Sequence, residues 1–107
     1  MILFINSIAH LLVDGVCAAT LFGKLGDNPS FAAMVLLYNT LAFSSQGIVG
    51  LAADQVKKHT LCSTAAMLLV AAGFFSPVSP WACVCIIGIG NSIFHVAAGC
   101  MTLEDSN

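Results

Sequence analysis

With 107 residues, 59% of them hydrophobic and only 7% charged, the chain lacks the polar side chains a small soluble domain needs to cover its core. Its mean hydropathy is +0.98. Its net charge is −2 and it has no arginine, which excludes a phosphate-neutralising nucleic-acid surface. The charges gather at Lys24 and Asp27, at Asp54, Lys57 and Lys58, and at Glu104 and Asp105, with Asp14 standing alone. Charges collected at the ends of apolar runs suit a bilayer. The expected fold is all-α, a polytopic transmembrane bundle of four helices forming a single set over residues 1–107.

A bilayer core about 30 Å thick takes ~20 helical residues. The first span is expected over about 2–22. No positive segment precedes it and three more apolar runs follow, so it reads as a retained helix and not a cleaved signal. It carries Asn6, His10 and Asp14, spaced four apart and therefore on one helical face. Turn residues at 23–29 break it. The second span, about 30–53, holds Tyr38, Asn39, Ser44, Ser45 and Gln46. A short charged loop at 54–59 leads into a third, shorter span at about 60–75. Its polar residues within the apolar run, Ser63 and Thr64, can bond back to their own helix. A Ser/Pro turn at 76–80 precedes the fourth span, about 81–103. This span carries Asn91 and His95, again four apart, together with Gly88, Gly90, Ser92 and Gly99. Gly88 and Ser92 form a small-xxx-small pair that favours close helix packing. Residues 104–107 are a polar end.

All three connections are short, so sequential helices are expected to be antiparallel neighbours. Lys57 and Lys58, with His59, outweigh Lys24, which Asp27 offsets. The loop between spans two and three, and both termini, are therefore expected on the cytoplasmic side of a cell membrane. Trp81 would then sit at the outer interface.

Ionisable groups at membrane depth are expensive, about +2.5–3.5 kcal/mol for aspartate on insertion scales, so each needs a reason. The polar stripes on spans one and four mark these as cavity-lining helices, while span three is expected to face lipid. His10 and His95 each lie about eight residues in from the cytoplasmic side, roughly 12 Å deep, so the stripes can meet at one level. The functional reading is a pathway for protons or substrate through Asn6, His10, Asp14, Asn91 and His95. The structural reading is that these groups only hold the bundle together by interhelical hydrogen bonds.

The other chemistry is sparse. Cys17, Cys62, Cys83, Cys85 and Cys100 are scattered through apolar segments, without zinc or redox spacing, and read as small packing residues. No metal site and no cofactor are expected. There is no phosphate loop, carboxylate pair or nucleophile motif, and Gly88-Ile89-Gly90 lacks the third glycine of a dinucleotide site. The chain is not expected to be an enzyme.

The stretch Gly47-Ile48-Val49-Gly50-Leu51-Ala52-Ala53-Asp54-Gln55-Val56-Lys57-Lys58-His59 resembles the major facilitator superfamily signature between its second and third helices. Gly50 and Asp54 match, and Lys58 matches a basic position. Gln55 stands where a basic residue is usual, Lys57 where a glycine is usual, and His59 substitutes for a basic residue. His10-Leu11-Leu12-Val13-Asp14, and residues 88–95 from Gly88 to His95, look like segments of fosmidomycin-resistance-type efflux proteins in that superfamily. The resemblance implies that helices one and four line a central cavity with helix three outside. It also implies that Gly50, Asp54, Lys57 and Lys58 belong to a cytoplasmic gate. It covers essentially the whole chain, yet such transporters have about twelve spans. The chain is thus expected to be a truncated transporter, needing the remaining helices or an oligomer for function.

The expected function is proton-coupled efflux of a small organic molecule, with lipid, protons and substrate as partners. Two alternatives stand beside it. One is a complete four-helix small multidrug exporter acting as an antiparallel dimer. The other is a non-transporting membrane interaction protein.

Overall fold

The computed structural model describes residues 2–56, 58–75 and 79–106, and all regular structure among them is helical. In lipid a helix is the natural outcome for such a chain, because it satisfies every backbone group within its own segment. Helix α1 (Ile2–Ala19) runs on into a π-helical turn, Thr20–Lys24, where the Leu25 N–H reaches back to the Thr20 carbonyl at 3.2 Å. The expected break at 23–29 therefore begins slightly later. It is built by the Asn28 side chain, which accepts from the Ser30 N–H at 2.8 Å, beside Pro29, which has no N–H to donate.

The second span is not one regular helix. It comprises α2 (Phe31–Asn39), a π-helical turn (Thr40–Ser44) and α3 (Gln46–Val56). Polar side chains occupy the carbonyls here. Thr40 Oγ1 donates to Leu36, Ser45 Oγ to Leu41, and Gln46 Nε2 to Ala42. Such back-bonding, with a π turn, loosens and bends the ladder locally. The charged loop expected at 54–59 is shorter than its composition suggests. Helix α3 continues through Asp54 to Val56, and α4 (His59–Phe75) starts at a buried His59. Lys57 lies outside the described residues, as does the side chain of Asp54.

Helix α5 (Pro80–Ser106) opens with Pro80 in its first turn, where a missing N–H costs nothing, and the Ser79 hydroxyl accepts from the Ala82 N–H at 3.3 Å. It is the hub of the bundle. In its apolar stretch 56% of the residues are buried, against 17% in each of the spans 3–24 and 31–52, and it contacts all four other helices. Three stretches are long and apolar enough to cross a bilayer: Leu3–Lys24, Phe31–Ala52 and Pro80–Leu103. Helix α4 is apolar but has only 17 residues. The bundle is 47 Å along its longest axis, comparable with a bilayer including its headgroups. Large side chains such as Leu11, Ile48, Leu61 and Leu68 are exposed around its outside, an arrangement that suits lipid and not water.

Helix α4 lays a stripe of His59, Ser63, Ala66, Val70 and Gly73 against the bundle. Its other face presents Leu61, Leu68 and Phe75 outward. The closeness of α4 to α5 depends on glycine. A Cβ at Gly90 would stand 2.9 Å from Val70 Cγ2 and 3.2 Å from the Ala66 carbonyl. On the other side of α5, a Cβ at Gly88 would stand 2.9 Å from Leu41 Cβ, and Ser92 bonds Ser45 Oγ at 2.9 Å. The small-residue pair thus seats the second span. Gly99 meets nothing within 4 Å and has no such role.

Lys24 closes the far end. Its Nζ donates to the carbonyls of Gly73 at 3.2 Å and Phe74 at 3.1 Å, the last turn of α4, where a cation also meets the negative end of the helix dipole. Lys24→Met is expected to lower stability by about 0.3–1 kcal/mol. Denaturant titration in detergent would read the loss, and an unchanged midpoint would mean these bonds contribute nothing.

Candidate functional site

Helices α1 and α5 run antiparallel, and their polar residues meet in ordered rungs. Asn6 Nδ2 donates to the Ala98 carbonyl at 3.2 Å and to Thr102 Oγ1 at 3.0 Å. One turn on, His10 Nε2 and His95 Nε2 face each other at 3.2 Å, with the rings nearly perpendicular and their centroids 4.4 Å apart. At the next rung Asp14 reaches three neighbours. Its Oδ2 lies 3.0 Å from His10 Nε2, and its Oδ1 lies 3.5 Å from His95 Nε2 and 3.4 Å from Asn91 Nδ2. All five residues expected to line a pathway lie along this single α1–α5 seam.

The local sequence explains the convergence. A four-residue spacing on each helix keeps each set on one face, and the glycine and serine of α5 bring its neighbours close. Asn91 is 1% exposed and is the fixed point. Its amide nitrogen also donates to the Tyr38 hydroxyl and lies 3.8 Å from Cys17 Sγ. Asn91 Oδ1 is buried with no hydrogen-bond partner among the described residues. Aiming the amide nitrogen at Asp14 is the favourable orientation, since an ionised carboxylate only accepts.

The seam is open to one side. Side-chain exposure is 46% for His10 and 47% for Asp14, against 23% for His95. Two clefts flank the imidazole pair. One, of about 350 Å³, is lined by Asn6, Ser7, Thr102 and both histidines. The other, of about 490 Å³, is lined by Asp14, Tyr38, Asn39, Phe43 and both histidines. The two rings form a shared wall between them.

No family model, curated protein or solved structure matches this chain. The site is therefore read from its own chemistry.

The residues of the gate motif are not brought to this seam by any contact among the described residues. Gly50 is half-buried in α3, with nothing within 4 Å of the place a Cβ would take, and Lys58 is exposed between α3 and α4. Asp54 is placed by its backbone alone, on α3, and Lys57 lies outside the described residues.

Tyr38 and Thr102, to which the sequence pattern assigns no role, are both partners of pathway residues. The available signal for Tyr38 was its hydroxyl, which in the middle of an apolar run needs a partner. Cys83 Sγ donates to the Gly73 carbonyl at 3.2 Å, and none of the five cysteines forms a disulfide.

Proposed function

We propose that this chain is a membrane-embedded segment of a secondary active transporter, with four spans and with the α1–α5 seam as its polar path. The observation that carries the reading is the convergence of His10, Asp14 and His95, from two antiparallel helices, between two clefts. Three ionisable groups at mid-span are far more costly than neutral glue requires. The half-exposure of His10 and Asp14 calls for water, or for further protein, over that face. The resemblance to the major facilitator superfamily supports the same reading, with proton-coupled efflux of a small organic molecule as the activity. In it the 54–59 region and both termini are cytoplasmic, and α4 is the outer helix.

The test is flux through the protein from its whole reading frame, reconstituted in vesicles, with labelled fosmidomycin as the probe the resemblance supplies. A pH gradient should drive uptake, and Asp14→Asn should reduce it. Undiminished flux in that variant would remove Asp14 from the mechanism. A small multidrug exporter is separated by tagging the C-terminus, which in an antiparallel dimer would be found on both sides of the membrane.

A further inference from the structure

We infer that His10, Asp14 and His95 form a binding site for a divalent transition-metal ion of the zinc type. The inference concerns what the cluster holds and stands apart from whether the chain carries anything across a membrane.

The first argument is that hydrogen bonds among an ionised Asp14 and two neutral imidazoles cannot satisfy all three contacts at once. The three groups are mutually close: 3.2 Å between the two Nε2 atoms, 3.0 Å from His10 Nε2 to Asp14 Oδ2, and 3.5 Å from His95 Nε2 to Asp14 Oδ1. An imidazole nitrogen carries either one proton or one lone pair, so it makes one good hydrogen bond. With Asp14 ionised, two Nε2–H groups donating to the carboxylate leave the 3.2 Å Nε2–Nε2 contact without a hydrogen bond, and one imidazole donating to the other leaves Asp14 with no donor from either. A cation among them satisfies all three at once, with both lone pairs and the carboxylate turned toward it.

The second argument is size. Zinc binds imidazole nitrogen and carboxylate oxygen at about 2.0–2.2 Å in a tetrahedron. That geometry sets neighbouring ligand atoms ~3.4 Å apart, close to the separations found here. All three donor groups have ligand atoms within 4.8 Å of one another. Two come from one helix face at a spacing of four residues, and the third comes from the facing helix, so the backbone fixes them. Asn91 adds the outer support expected of such a site, holding the Asp14 carboxylate from the buried side. Two imidazoles and one carboxylate favour Zn²⁺, Fe²⁺ or Co²⁺ over Mg²⁺ and Ca²⁺, which take oxygen ligands. The fourth position would open toward the 490 Å³ cleft, with room for water or a ligand atom. These donors are separated by 85 positions, His10 to His95, and only the helix pairing unites them.

The test uses the full-length protein in detergent or nanodiscs, with Zn²⁺, Co²⁺ and Mg²⁺ alone as probes. Calorimetry should find one equivalent of Zn²⁺ bound per chain, no saturable Mg²⁺, and loss of that equivalent in His10→Gln and His95→Gln. In the unaltered protein the visible spectrum of bound Co²⁺ should report tetrahedral nitrogen and oxygen ligands, a reading that does not depend on the variants folding. Absence of a bound equivalent, retention of it in both variants, or a thiolate charge-transfer band from cysteine ligation would overturn the site. Bound Zn²⁺ without any flux would leave this site standing and remove the transport reading; flux without bound metal would do the reverse.

Discussion

Gly90→Leu is expected to be strongly damaging to the bundle, costing about 3 kcal/mol, at the upper end of the range for overpacking. The reason is geometric. A Cβ at this position already stands 2.9 Å from Val70 Cγ2 and 3.2 Å from the Ala66 carbonyl, and the carbonyl belongs to a helix backbone that cannot turn aside. The rest of a leucine has nowhere to go except between α4 and α5, the most extensive helix pairing in the molecule. Denaturant or thermal unfolding in detergent should move sharply to lower stability. Gly99→Leu is the control. The same substitution on the same helix, with nothing within 4 Å, should stay within about 0.5 kcal/mol of the parent. Equal losses in the two variants would mean that the close approach of α4 does not set the effect, since leucine's higher helix propensity would favour both.

Asn91→Leu is expected to cost about 2 kcal/mol although it hardly changes volume. Asn91 is buried, and its amide is shared among Asp14, Tyr38 and Cys17. Removing it leaves the Tyr38 hydroxyl and one Asp14 oxygen short of a donor, and a stranded polar group costs about 1–3 kcal/mol. Interhelical hydrogen bonds in membranes average only ~0.6 kcal/mol, so the larger value rests on several partners being lost together. A double-mutant cycle with Tyr38→Phe isolates the shared part. Coupling of about 1 kcal/mol is expected between residues in direct contact. Additive losses would mean that the two side chains act independently.

Much of this arrangement could be read from residue order. The four-residue spacings of Asn6, His10 and Asp14, and of Asn91 and His95, fix which faces are polar, because helical geometry allows no other outcome. Short connections dictate antiparallel neighbours. What the residues did not disclose is register. That Asp14 meets both Asn91 and His95 depends on how deeply α1 and α5 slide into one another, which residue order does not fix. Local propensity also missed the π turn at 40–44, because it arises from hydroxyl and amide side chains competing for backbone carbonyls. His59 closes the charged stretch 54–59 in the sequence, whereas the start of α4 turns it inward. Tyr38 lacked a role for a related reason, since its partner sits 53 positions away.

The rungs between α1 and α5 constrain how this bundle can move. Asn6 with Ala98, His10 with His95, Asp14 with Asn91 and Cys17 with Ile87 are in step along the whole seam. Sliding one helix past the other by a single turn would break every rung together and leave polar groups facing oil. Translation along the seam is thus barred by a cost that accumulates across its length, while tilting both helices as one stiff lever breaks none of these contacts. Any gating in this protein should therefore move α1 and α5 together as a unit.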